Sequence, residues 1–166
     1  MDVLMTFEIV LVNYNDDQQA ADLLHCLNAY ATDPMGGGEP LKEDVINSLI
    51  PRLREHANVF SVMAYVDGRP AGLINCVDGF STFNAKPLVN IHDVVVLPEF
   101  RRLGLTSKMF AEVERIARDK GCCKMTLEVL EGNLIAQNAY KKLGFSGYEL
   151  DPEIGQAIFW QKPIIQ

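Results

Sequence analysis

Between Val96 and Thr106 the chain reads Val96-Leu97-Pro98-Glu99-Phe100-Arg101-Arg102-Leu103-Gly104-Leu105-Thr106, an apolar run stopped by proline and followed by a glycine just before helical spacing sets in. That order puts a tight loop between a strand and the N-terminus of a helix. The first backbone N–H groups of a helix have no intrahelical partner, and the helix dipole adds positive potential there, so a diphosphate can dock. Arg101 and Arg102 can add charge for a further phosphate or for the loop itself. The same residues equally suit an ordinary strand-to-helix turn with two solvated arginines, and the physics of the loop leaves both readings open.

The run resembles the acetyl-CoA signature of the GNAT (Gcn5-related N-acetyltransferase) superfamily, Gln/Arg-x-x-Gly-x-Gly/Ala, with Arg101, Gly104 and Thr106 at its marked positions. Downstream, Asn133, Ala136, Tyr140, Lys142, Gly144 and Phe145 resemble the second family pattern, Asn-x-x-Ala-x-x-x-Tyr-x-Lys-x-Gly-Phe. The resemblance covers Val89 to Phe145, with agreement at the level of elements elsewhere. It implies acetyl-CoA as acetyl donor and no metal. Arg101, Arg102, Leu103, Gly104, Leu105, Thr106 and Ser107 would then meet the phosphates, backbone groups at Val94 and Val96 the pantetheine arm, and Asn133 and Tyr140 the rest of the cofactor site. Thr106 departs from the pattern. Its β-branched side chain can crowd the diphosphate, or its hydroxyl can donate to it, so the departure bears on cofactor affinity.

Aminolysis of a thioester needs a neutral amine, donors for the oxyanion and an acid for the departing thiolate. His92 lies four residues before Val96, and regular alternation puts it on one face with Asn90, Val94 and Val96 while Asp93 points the other way. An imidazole titrates near neutrality and can accept the ammonium proton directly or through water; a satisfied histidine in a sheet is the other reading. At this spacing arylalkylamine acetyltransferases have histidine and polyamine acetyltransferases glutamate, followed by an aspartate like Asp93. Asp93 is the reserve base, or orients a neighbouring element. The resemblance makes Tyr140 the general acid, against a core aromatic packed on the sheet. It gives Asn133 a contact to cofactor or ordered water, against a plain helix N-cap. Lys141 and Lys142 read as a solvated helix face.

The acceptor is expected over the sheet opposite the cofactor arm, beside the first two helices. Met35 to Glu39 can supply a mobile glycine-rich cover in which Glu39 attracts an ammonium, and Phe80 and Phe83 can enclose the acceptor; ordinary loop and core roles fit all of these. The expected activity is acetyl transfer to a primary amine of a small molecule. A non-catalytic acyl-CoA-binding sensor and a protein or peptide N-acetyltransferase are the alternatives. By resemblance a homodimer is expected.

These groups need a scaffold. Strands are expected at Thr6–Val12, Val59–Val66, Ala71–Val77, Val89–Leu97, Lys124–Leu130, Phe145–Leu150 and Ala157–Gln161, from β-rich and alternating runs bounded by turn residues. Asp67-Gly68-Arg69-Pro70 reads as a hairpin and Gly79–Pro87 as a loop. Helices are expected at Asp16–Ala31, with Ala20, Leu23, Leu24 and Leu27 inward, and at Leu41–Glu55, with Val45, Ile46, Leu49, Ile50 and Leu53 inward and Pro51 kinking or dividing it. Two more are expected at Leu105–Lys120, burying Met109, Phe110, Val113 and Ile116, and at Leu134–Leu143. The order is mixed α/β (α+β). The resemblance makes it a GNAT fold: a central, mostly antiparallel sheet, splayed between its fourth and fifth strands and flanked by helices, in a single domain over residues 1–166.

The whole chain fits this picture. At 166 residues with 48% hydrophobic side chains it can bury one core. A formal net charge of −7 argues against a nucleic-acid partner, which needs clustered Lys and Arg, and mildly favours a cationic acceptor. No apolar run is long enough for a membrane span and no signal-peptide pattern opens the chain, so a cytoplasmic protein is expected. Cys26, Cys76, Cys122 and Cys123 lack metal or CxxC spacing and read as reduced thiols.

Overall fold

A computed structural model describes residues 4–149 and 151–164. The elements run β1 (Phe7–Leu11), α1 (Asp17–Thr32), α2 (Glu43–Glu55), β2 (Val59–Val66), β3 (Arg69–Ser81), β4 (Lys86–Val96), a 3-10 turn at Pro98–Phe100, α3 (Leu105–Asp119), β5 (Met125–Leu127) and α4 (Leu134–Lys142). The strands form one five-stranded sheet in the order β1-β2-β3-β4-β5. Every neighbouring pair is antiparallel except β4 with β5, which is parallel over three residue pairs, Val89–Met125, Asn90–Thr126 and Ile91–Leu127. This is the mixed, mostly antiparallel sheet flanked by helices that was expected. The described residues up to Leu127 form one compact unit, and those from Glu128 onward form a second.

Helix α3 follows the sequence pattern closely: Leu105, Met109, Phe110, Val113, Ile116 and Ala117 are all buried. Each of the larger side chains contributes roughly 1.5–3 kcal/mol of hydrophobic stabilisation, and Ala117 less. Gly72 lets α3 approach β3, since a Cβ there would sit 2.9 Å from Met109 Cε. On the opposite face α1 starts at Asp16, whose carboxylate accepts the Gln19 N–H, and buries Ala20, Leu23 and Cys26. Asp22 is buried as well and receives the Tyr65 hydroxyl from β2 at 2.9 Å. Leu24 and Leu27, expected inward, are only half-buried, because the face that meets the sheet is centred on Leu23 and Cys26.

Four expectations are corrected. Helix α2 runs unbroken through Pro51, because Pro51 and Asn47 both lie on the exposed side, where solvent can satisfy the carbonyl that proline leaves without a donor. Only Ile50 of its expected apolar face is buried. Gly79–Pro87, expected as a loop, is mostly strand: β3 and β4 stay in register from Asp78–Val89 to Ser81–Lys86, leaving a tight turn. Phe80 and Phe83 are 63% and 98% exposed at its tip and enclose nothing there.

The two C-terminal strands reduce to a single antiparallel bridge between Glu149 and Gln156, Leu150 lying outside the described residues. Around it Ile158, Phe159, Trp160 and Ile164 remain exposed. The apolar run Ala157–Trp160 has the composition of a strand, but among the described residues this segment joins no ladder. No described helix is long and apolar enough to cross a membrane.

Candidate active site

Strand β4 carries an extra residue. Asp93 pairs with Asn75 and Ile91 with Cys76, so His92 stands in a β-bulge with no partner of its own on β3. The bulge changes the phase of everything after it. Ahead of it, Ile91 shares with Cys76 the α3 face on which Gly72 meets Met109; beyond it, Val94 and Val96 pair with Ile74 and Gly72 on that same face. Asn90 and Asp93 therefore fall together on the α1 face, opposite Val94 and Val96, which corrects the grouping expected from plain alternation. His92 is exposed.

The same shift governs the backbone. Val89 N–H donates to Lys124 O, so ahead of the bulge odd residues turn their amides to β5. Beyond it Leu97 N–H donates to Ala71 O on the β3 side, so Val95 also faces β3, and Val94 and Val96 direct N–H and C=O to the other edge. Pairing with β5 ends at Ile91, so among the described residues that edge carries no ladder from His92 to Val96. Two of the expected cofactor contacts thus present unladdered backbone groups, Val96 O already accepting Arg101 Nε at 3.2 Å.

The loop that follows closes in an anion-binding shape. Arg102 has φ 68° and Gly104 φ 74°, and Gly104 is the N-cap of α3 with no side-chain cap. The first intrahelical bond is Lys108 N–H to Gly104 O, so the N–H groups of Leu105, Thr106 and Ser107 are free of helix partners. Successive amides in such a turn form a concavity for an anion. No atom lies within 4 Å of where a Gly104 Cβ would be, so it is the positive φ, rather than space, that calls for glycine. Buried Leu105 anchors the first turn, Thr106 is half-buried and Ser107 exposed, while Leu103 is half-buried.

Arg101 and Asp33 also form an ion pair, Nη2 to Oδ2 3.5 Å, joining this loop to the end of α1. Asp33 in turn accepts Met35 N–H on its carboxylate and Gly36 and Gly38 N–H on its carbonyl, and Glu39 N–H reaches Ala31 O. The Met35–Glu39 stretch is therefore bonded to the end of α1, where a mobile cover was expected.

Asp93 is half-buried and accepts Asn75 Nδ2 at 3.0 Å. Tyr30 on α1, which the sequence reading passed over, has its phenol held above the usual range by burial and then by the charges of Asp93 and Asp33. Asn75 was passed over too, since a single amide in an apolar run gives no periodic signal. Burial pushes the thiols of Cys26 and Cys76 up to about 12, consistent with unreactive core cysteines.

The second unit holds the other motif, and its residues have local duties. Asn133 caps α4, Oδ1 accepting Ala136 N–H at 3.1 Å. At the far end Gly144 N–H reaches Lys141 O and Phe145 N–H reaches Tyr140 O, the two bonds of a Schellman close with Gly144 at φ 92°. The Tyr140 and Phe145 rings meet edge to face, centroids 6.1 Å apart. The spacing Asn-x-x-Ala and Tyr-x-x-x-Gly-Phe is thus what a short capped helix requires.

Residues 23–145 match the sequence model of the Acetyltransferase (GNAT) family. The chain is similar to a thialysine N-epsilon-acetyltransferase of Caenorhabditis elegans, 28% identical over 86% of this chain and 84% of that one. It is also similar to an aminoglycoside N(6')-acetyltransferase type 1 of Salmonella typhimurium, 30% identical over 61% of this chain and 68% of that one. An aminoglycoside N-acetyltransferase solved in complex with CoA shares the fold at TM-score 0.74 and 22% identity, covering 99% of each chain. With the matched region spanning β4, the glycine-capped loop and the second motif alike, the chain belongs to the GNAT acetyltransferase family.

Proposed function

We propose that this chain, acting as one domain, transfers the acetyl group of acetyl-CoA to a primary amine of a small molecule by direct attack. The observation that carries the reading is the row of partner-free N–H groups behind Gly104, next to the open amide edge at Val94 and Val96. A diphosphate fits the first and an extended amide-bearing arm fits the second. Arg102 adds charge to the loop, and Asn133, its Oδ1 engaged in the cap, keeps Nδ2 for the cofactor. The acceptor class follows from relatives named for thialysine and aminoglycosides, both amines, and from the acidic net charge of −7.

In the reaction, the amine nitrogen forms a bond to the thioester carbonyl carbon, the C–S bond breaks, and the amine loses one proton while the thiolate gains one. His92 takes the first proton, directly or through water, with Asp93 as the alternative base, and Tyr140 gives the second. The exposed apolar side chains of Ile158, Phe159 and Trp160 offer a surface for a second copy, which supports a homodimer.

Consumption of acetyl-CoA, followed as free CoA thiol across thialysine, aminoglycosides, polyamines, amino acids and peptides, tests the proposal. Turnover with one class of small amines is the expected result. Binding of acetyl-CoA with no thiol release from any amine would overturn it in favour of a sensor, and turnover on peptides alone would favour a protein acetyltransferase.

A further inference from the structure

Three polar side chains cross the α1 face of the sheet in one row, beside the apolar row of Met63, Leu73 and Val95. Ser61 on β2 is the register partner of Asn75 on β3, and Asn75 is the partner of Asp93 on β4. The row is hydrogen-bonded throughout: Ser61 Oγ to Asn75 Oδ1 at 2.6 Å, Asn75 Nδ2 to Asp93 Oδ2 at 3.0 Å, and Tyr14 Oη to Ser61 Oγ at 2.9 Å. We propose that Tyr14, Ser61 and Asn75 form a one-way donor chain whose purpose is to position the Asp93 carboxylate for the acceptor ammonium; the inference rests on the amine acetyltransferase reading given above.

The direction follows from proton counting. A carboxylate only accepts, so the Asn75 amide must turn its NH2 to Asp93 and its oxygen to Ser61. The one hydroxyl proton of Ser61 goes to that oxygen, so Tyr14 must supply its own proton to Ser61. Burial holds the Tyr14 phenol above its usual range, which keeps it a donor. Ser61 is fully buried and Met63 and Leu73 beside it are fully buried apolar side chains, so an apolar row would pack there without hydrogen-bonding demands. What the polar row adds is an oriented carboxylate. Asn75 holds only Oδ2, on a half-buried aspartate next to the His92 bulge, leaving Oδ1 to meet a cation. The chain cannot relay protons, since an amide interrupts it, so Asn75, Ser61 and Tyr14 are positioning residues.

The test compares Asn75→Leu, Ser61→Ala and Tyr14→Phe with the wild type, using thialysine and sisomicin as acceptor probes and acetyl-CoA-dependent thermal stabilisation as a separate readout. Asn75→Leu should raise the acceptor KM about tenfold, and the other two about threefold, with kcat within about twofold and the acetyl-CoA stabilisation retained. An unchanged acceptor KM in Asn75→Leu, or an equal loss of acetyl-CoA response, would overturn the inference. If Asn75→Leu does not fold, Tyr14→Phe, which keeps the ring, decides it in the same way. Should the wild type bind these amines without turnover, the proposed function fails and calorimetric amine affinity replaces KM, with the same ratios expected. A wild type that neither turns over nor binds either amine overturns both.

Discussion

The Arg101 guanidinium lies 3.5 Å from the Asp33 carboxylate while its Nε holds Val96 O at 3.2 Å, so one side chain ties the loop before α3 to both β4 and the end of α1. Asp33 thereby sets a negative charge beside a loop proposed to receive a diphosphate. Asp33→Asn keeps an oxygen for the Met35 N–H and removes only the charge. Acetyl-CoA affinity should rise about two- to threefold at low ionic strength and return to the wild-type value near 1 M salt, where exposed charges are screened. Calorimetric titration at both salt levels checks this; a weaker affinity at low salt would make the ion pair an organiser of the loop rather than a competitor.

Gly104 supplies the second prediction. A valine at φ 74° is strained whatever the room around it, and relief of that strain would swing the Leu105 to Ser107 amides out of their row. Gly104→Val should abolish the acetyl-CoA-dependent rise in melting temperature. A variant that folds and is stabilised like the wild type would remove the diphosphate from this loop.

Much of this was legible in the sequence, for identifiable reasons. Helix α3 has apolar residues at three- and four-residue spacing and buries them all, and Gly104 and Gly144 stand where αL backbone is needed. The bulge was not legible. Val94, Val95 and Val96 are alike, so nothing in the pattern marks a shift of phase, and only the pairing of Asn75 with Asp93 reveals that His92 is extra. The hairpin was underestimated because Asp78 and Gly79 look like turn residues, yet Asp78 Oδ2 accepts Lys120 Nζ at 2.6 Å across to the end of α3 and the ladder continues. In the C-terminal segment a short apolar, aromatic run signalled a strand, but such a run carries no information about a partner. The role of Tyr140 came from resemblance, while local geometry explains Asn133 and Gly144 of the same motif as caps.

Tyr65 and Asp22 allow a stability test independent of function. Buried Asp22 accepts Tyr65 Oη and Gln18 Nε2, each at 2.9 Å, so Tyr65→Phe leaves the carboxylate one donor short. Chemical denaturation should show a loss of about 1–3 kcal/mol. The sign with pH is also fixed. Burial and then Asp22 raise the Tyr65 phenol above its unfolded value, so this stabilisation is complete below about pH 10 and is lost as pH rises toward the folded value. The gap between wild type and variant should therefore narrow in alkali; a widening gap would contradict the assignment.

His92, exposed on the bulge, is the proposed base. His92→Ala should lower turnover mainly below the pH at which the acceptor amine deprotonates unaided, with acetyl-CoA stabilisation nearly unchanged. The pH–rate profiles of both proteins decide the matter. Superimposable profiles would move the role to Asp93 or to water.

Tyr140 is the proposed general acid, and phenylalanine is the substitution that isolates its hydroxyl. Its backbone carbonyl accepts Phe145 N–H and its ring meets the Phe145 ring edge to face, contacts that a phenylalanine keeps. Only the hydroxyl is lost in Tyr140→Phe. A phenol gives up its proton near pH 10 when unperturbed, close enough to a thiol for transfer to a departing thiolate to be useful. That thiolate is already a fair leaving group, so the effect belongs at the modest end of general-acid contributions: about 10²-fold in kcat, with the melting temperature and its response to acetyl-CoA retained. If the hydroxyl served packing alone, the melting temperature would fall and kcat would hold. A Tyr140→Phe protein that melts and turns over like the wild type would leave the thiolate to be protonated by water, and the role would pass from this helix altogether.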